Sequence, residues 1–263
     1  MIIDSHFLYL SMLKKDENAS LPDSLVGLEI GLDGGDMEQR IEKIGDNKNI
    51  FLSVGAGPWV LERSDFISID NELSLLEKDI VTYGADALGE IGFDNHWGYG
   101  TKEMQRELFE KSVDLARKYN LPISIHSRDA DKELLESAEA GYIDSKTIMH
   151  CFSSGKDVCK SLLDKGSYIS FAGNVTYKGN TTIAESAKFT PLDRILVETD
   201  SPYLSPMMLR GKVNNPQNTE LIIDFLSKLK NIDRDVLKER IIANFYALMG
   251  REKSIVKRNL ATL

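Results

Sequence analysis

The sequence predicts an α/β protein folded as a single closed barrel of eight parallel strands and their helices, a TIM-type (β/α)8 barrel. Three observations carry that expectation. Short runs rich in Val, Ile and Leu alternate with longer stretches of helical period, the signature of βα units. Eight such short runs occur in order along the chain. The length of 263 residues is one that single α/β barrels commonly reach, and no linker rich in Pro, Gly or Ser divides it. One domain over residues 1–263 is therefore expected, without internal repeats.

The strands are predicted over 1–6, 25–32, 50–54, 87–93, 122–126, 147–150, 168–172 and 195–198, all of buried-strand length. The clearest helix is 102–119, where Met104, Leu108, Val113, Leu115 and Ala116 form an apolar stripe and Gln105, Glu107 and Lys111 the solvent side. Two more helices, 218–229 and 234–249, follow the last strand, the second ending at Gly250, a natural C-cap. No GxGxxG opens the first strand–helix junction, which argues against an open sheet binding a dinucleotide cofactor.

Composition removes several function classes. With 42% hydrophobic and 28% charged residues the chain can bury a full core, so it is not a disordered protein. The apolar runs, about 5–7 residues long, fall far short of the roughly 18 that a membrane helix needs. The start, MIIDSHFLYLSMLKK, has no basic residue ahead of its apolar stretch and no small-residue cleavage site, so no signal peptide is expected. Two cysteines, Cys151 and Cys159, are too few for a disulfide framework and suit a reducing compartment, so a cytoplasmic protein is expected. Lys and Arg number 32 against 41 Asp and Glu, a net charge of −9. Such a chain offers local basic patches rather than the basic face that grips a long duplex.

Barrel enzymes build their sites at the C-terminal ends of the strands. His6 ends the first predicted strand, Glu90 lies in the fourth, His126 ends the fifth, His150 ends the sixth, and Asp200 follows the eighth. The fourth of the chain's four histidines, His96, comes six residues after Glu90. Each alone has an ordinary explanation: a histidine flanking a strand is more often a hydrogen-bonded rim residue, and Asp200 could cap a turn. Three imidazoles and two carboxylates on one rim are a ligand set for a divalent cation, which also supplies the counter-charge that buried carboxylates need.

These residues also carry a resemblance. DSH at 4–6, GEIGFD at 89–94, LPISIHSRDA at 121–130, MHCFSSG at 149–155, SFAGNVTYK at 170–178, ETDSPYLSPMMLRGKVNNP at 198–216 and NFYALMG at 244–250 resemble, in order and spacing, the TatD family of metal-dependent deoxyribonucleases. The resemblance implies a site for one or two divalent ions (Zn, Mg or Mn). Glu90 would be shared between the metals, His126 and His150 would complete one, and His6 and Asp200 would hold the other with a second histidine from an HxH motif. This chain has Leu8 in that place, and Gly57 where the family often shows a histidine before a proline. The resemblance thus leaves one metal position short of a ligand. Water, Asp94 or His96 would fill it, His96 being the first candidate for a substitute ligand; alternatively the chain binds one metal firmly.

For phosphodiester hydrolysis of DNA, the implied reaction, Glu90 and Asp200 are the expected catalytic carboxylates, Asp200 accepting a proton from the attacking water. Arg128, Arg210 and Lys212, with Lys178, are expected around the mouth as phosphate contacts, Arg210 foremost because it follows Asp200 in a Pro- and Gly-rich loop. A few local cations fit single-stranded DNA or a strand end better than a long groove. Trp97 and Tyr99 either stack on a base or pack on the barrel rim. Cys151 lacks a histidine partner of its own if His150 is a ligand, so a thiol nucleophile is the weaker idea. Two other readings stand beside this one: a barrel hydrolase acting on another ester or amide, and a degenerate barrel that binds nucleic acid or a partner without turnover.

Overall fold

The computed structural model describes residues 1–250; the last thirteen positions of the expected domain, 251–263, lie outside the described residues. Strands β1 (Ile2–Phe7), β2 (Leu25–Glu29), β3 (Ile50–Val54), β4 (Ala87–Asp94), β5 (Ile123–Arg128), β6 (Thr147–Met149), β7 (Tyr168–Phe171) and β8 (Ile195–Val197) pair in parallel in sequence order. They are buried along nearly their whole length, as a parallel sheet enclosed by helices must be. The ring closes at its C-terminal edge, where Leu8 N donates to Ser201 O (2.9 Å) and Asp200 N donates to His6 O (3.0 Å).

Helices α1 (Tyr9–Lys15), α2 (Met37–Ile44), α3 (Ile69–Tyr83), α4 (Lys102–Lys118), α5 (Asp131–Glu139), α6 (Lys156–Asp164) and α7 (Thr181–Phe189) alternate with the strands, and α8 (Thr219–Lys230) and α9 (Arg234–Met249) follow β8. Hydroxyl and carboxylate caps start several of them. Ser68 accepts from Asn71 N, Thr101 from Met104 N, and Asp233 from Val236 N. Among the described residues no helix is long and apolar enough to cross a membrane.

Four details depart from the sequence expectation. The second strand stops at Glu29, leaving 30–32 in the loop, and the fifth runs past His126 to Arg128. His150 lies one residue beyond β6. Gln105, expected on the solvent side of α4, is buried because its side chain clamps the loop after β4. Its Oε1 accepts from Asp94 N (2.9 Å) and its Nε2 donates to the carbonyls of Asp94 (3.0 Å) and Tyr99 (2.8 Å). A helical wheel cannot distinguish that amide from a solvated one.

Candidate metal centre

Strand pairing is regular except at two places, between Asp4 and Phe7 of β1 and between Leu88 and Ile91 of β4. His6 and Glu90 sit in those two interruptions, where a local bulge re-aims a side chain. The backbone packs tightly around Glu90: a Cβ on Gly55 would fall 2.2 Å from Glu90 N, and one on Gly92 2.0 Å from His126 O. Gly55 and Gly92 therefore let β3, β4 and β5 approach closely enough to bring Glu90 and His126 together.

The side chains converge. Glu90 Oε1 lies 2.7 Å from His126 Nδ1 and 3.5 Å from His150 Nε2, and Glu90 Oε2 lies 3.5 Å from His6 Nε2. His6 Nε2 is also 3.7 Å from Asp200 Oδ1. The rings of His6 and His150 stack with centroids 3.5 Å apart. Donor atoms of His6, Glu90 and His150 come within mutual ligating range, and so do those of His150, Cys151 and Asp200. Asp200 and Cys151 hold left-handed backbone, φ 54° and 43°, a conformation uncommon for non-glycine residues.

Supporting carboxylates fix this array. Glu198, fully buried, places Oε1 2.7 Å from His150 Nδ1 and accepts from Cys151 N (2.9 Å), leaving His150 Nε2 facing Glu90. Asp4 accepts from His6 N (3.1 Å), Thr199 N (2.9 Å) and Thr199 Oγ1 (2.5 Å), tying the strand that carries His6 to the segment that carries Asp200. Asp94 has Oδ2 3.1 Å from His126 Nε2, while its Oδ1 accepts from the backbone of His96 and Trp97. Glu198 and Asp4 escaped sequence reasoning as supports. Their only signal was position within ETD and DSH, since the partner of a buried carboxylate is a tertiary fact.

The electrostatics follow from burial and neighbours. Burial, with the His150 ring second, pushes His6 down to about 3, so this imidazole is neutral. Burial would raise Glu90, but His150, His126 and His6 together hold it well below the usual carboxylate range. Against the lowering effect of burial, the Asp94 and Glu90 contacts lift His126 to about 9, and the Glu198 and Glu90 charges lift His150 to about 10. Burial raises Asp200 to about 7 in spite of His150. Burial and the carboxylates of Glu198, Asp200 and Glu90 raise the Cys151 thiol.

The donor set fits a divalent cation. Both ring nitrogens of His6 are buried without a hydrogen-bond partner, and the Nε2 edge faces two carboxylates. A neutral buried imidazole left unsatisfied between carboxylates is unfavourable for a polar network and suited to ligation.

The remaining predicted residues are dispersed. His96 is not gathered into the cluster: its Nδ1 lies 3.2 Å from Asp129, and its ring meets Trp97 edge-on at 4.9 Å. Leu8 is 6% exposed and packs in the apolar core. Near Gly57, the Trp59 indole covers the Cα so closely that a Cβ there would lie 2.1 Å from the ring, and Trp59 also packs edge-on against His126 at 5.8 Å. The indole would have to shift to admit a side chain at 57. Arg128, Arg210, Lys212 and Lys178 are exposed, with the Arg128 guanidinium 5.4 Å from the Trp97 ring centre and that of Arg210 4.9 Å from Tyr177.

Comparison with known proteins gives a consistent picture. The family profile described as TatD related DNase matches residues 15–250. The uncharacterized metal-dependent hydrolase YcfH of Escherichia coli K12 is 34% identical over 212 residues, covering 80% of this chain and 78% of that protein. YabD of Bacillus subtilis, also an uncharacterized metal-dependent hydrolase, is 34% identical over 212 residues, 77% of this chain and 78% of its own. Among solved structures, the TatD homologue YjjV of Escherichia coli superposes with a TM-score of 0.80 at 21% identity, covering 94% of this chain and 97% of that one.

Proposed function

The chain belongs to the TatD-related DNase family of metal-dependent hydrolases, and from that premise we propose that it cleaves phosphodiester bonds in DNA with metal-activated water. The observation that carries this reading is the unsatisfied, buried His6 imidazole, meeting Glu90, His150 and Asp200 at the mouth of the barrel. His6, Glu90, His126, His150 and Asp200 would hold one or two divalent ions, zinc, magnesium or manganese. Bound there, such an ion polarises a phosphoryl oxygen and acidifies water.

The protein supplies the rest. Glu90 is hemmed in by three imidazoles and so stays ionised, a carboxylate that would be available to a cation. Asp200, with 16% of its side chain exposed, accepts the proton of the attacking water. Glu198 and Asp94 hold the His150 and His126 rings in orientation. Arg128, Arg210 and Lys212 stand exposed on segments that follow candidate ligands in the chain and can neutralise phosphate oxygens. Local cations on a chain of charge −9 favour single-stranded DNA or a strand end over a long duplex. Two free cysteines suit the reducing cytoplasm, where we place the protein.

The test is release of nucleotides from single-stranded DNA by metal-loaded protein, with and without chelator. The expected result is chelator-sensitive cleavage that falls at least about 100-fold in kcat in Asp200→Asn, the scale of a lost proton acceptor. Metal-dependent hydrolysis of carboxylic esters or amides with DNA left intact would contradict the proposal.

A further inference from the structure

The cluster is open at two points: His126 is 19% exposed at its side chain and Asp200 16%, against 0% for His6 and 5% for His150. Two arginine–aromatic pairs stand at or just beyond the C-terminal ends of strands β4, β5, β7 and β8. Arg210 lies over Tyr177 in the loops after β7 and β8, but Tyr177 is half-buried and its hydroxyl donates to Ser205 O at 2.8 Å, so that ring is part of the wall. Trp97 differs. Its indole is 61% exposed, a large apolar face left in solvent at the rim.

That exposure comes on a fixed loop. Asp94 Oδ1 accepts from His96 N at 2.9 Å and Trp97 N at 3.0 Å, and Gln105 clamps Asp94 and Tyr99 from α4. The next residue along is tied to β5, with Asn95 N donating to Arg128 O at 2.9 Å. The Arg128 guanidinium lies 5.4 Å from the Trp97 ring centre, and the His96 ring meets the indole edge-on. The same Asp94 carboxylate reaches His126 with its other oxygen, so the platform and a candidate ligand share one support. Of the other carboxylates at the loop, Asp129 lies 3.2 Å from His96 Nδ1, and Glu133 accepts from Lys102 Nζ at 2.6 Å and Asn95 Nδ2 at 3.2 Å.

We propose that Trp97 and Arg128 form a subsite for an unpaired nucleobase, the indole stacking on the base while the guanidinium contacts the adjoining phosphate, so that a single strand is held beside His126. This rests on the phosphodiesterase reading and adds its selectivity: a base inside a duplex has no free face to offer the indole. Stacking on an aromatic side chain accepts any base, and a neighbouring arginine adds phosphate contact and cation–π attraction.

Two measurements test it. In the first, chelator-treated protein is titrated with an oligothymidylate of about ten nucleotides while tryptophan fluorescence is followed. Quenching is expected in the wild type, lost in Trp97→Phe although that variant still binds, while Trp97→Ala binds about tenfold more weakly. The second compares metal-loaded proteins on the oligonucleotide and on bis(p-nitrophenyl) phosphate, a diester with no base. The ratio of the two kcat/KM values should fall about tenfold in Trp97→Ala, mostly through KM, and recover in Trp97→Phe. Unchanged affinity and an unchanged ratio in Trp97→Ala, or an equal loss on duplex DNA, would overturn the subsite. Failure of the phosphodiesterase reading looks different: the wild type itself hydrolyses neither substrate at any metal concentration. A melting curve confirms that substitution at so exposed a position leaves the fold intact.

Discussion

His6 and Glu198 show how one residue's environment decides what it can do. His6 is fully buried, neutral and unsatisfied at both ring nitrogens, whereas His150 has Nδ1 against the Glu198 carboxylate and only Nε2 left to face Glu90. Glu198 therefore sets which nitrogen of His150 is available and raises its basicity. Replacing Glu198 with Gln is expected to weaken zinc or manganese affinity by about 10- to 100-fold, read by chelator competition, with the melting temperature checked in parallel. The imidazoles and Glu90 were legible in the sequence because titratable residues at the ends of apolar runs are few. Glu198, Asp4 and Asp94 were not legible as supports, since the sequence does not say which buried carboxylate meets which ring. Position 8 shows the same limit. The resemblance implies a histidine where this chain has Leu8, but only the packed structure shows that side chain in the apolar core and the Trp59 indole over Gly57.

Elements carry the next layer. The strand positions read from the sequence agree with the observed ones to within a few residues because buried parallel strands are nearly continuous apolar runs with sharp ends. The departures fall where tertiary contact decides: β5 continues to Arg128 alongside Asp94 of β4, and Gln105 turns inward to clamp the loop. Beyond β8, Glu220 of α8 is bound by Arg234 and by Lys238 Nζ (2.7 Å) of α9, which holds these two helices together. Partial burial raises the Glu220 carboxyl, but Lys238 and Arg234 outweigh it and hold it below its ordinary value of 4.5. A folded-state value below the unfolded one gives stability that is present above about pH 4.5 and lost as the pH falls through the lowered folded value. Glu220→Gln should therefore lower the unfolding free energy by up to about 1 kcal/mol at pH 7 and by much less at pH 3, measured by urea unfolding at both. An equal loss at the two pH values would show that packing, not charge, joins these helices.

For the whole molecule, the barrel collects residues from β1, β4, β5 and the ends of β6 and β8 that are up to 194 positions apart, His6 to Asp200, into one buried array. Without a cation, protons do the work of charge balance there. His126 and His150, lifted to about 9 and 10, carry charge at pH 7 between Asp94, Glu90 and Glu198. A divalent ion bound in the cluster would replace those protons, so its affinity should fall as the pH is lowered below 9. The most direct measurement is calorimetric titration of chelator-stripped protein with zinc or manganese at pH 7, in two buffers of different ionisation enthalpy. The expected result is saturation at one or two ions per chain with proton release, abolished or strongly weakened in Glu90→Gln, whose folding is verified by circular dichroism. Absence of binding by the wild type, or binding unaltered in that variant, would contradict a metal centre built on Glu90 and the histidines around it.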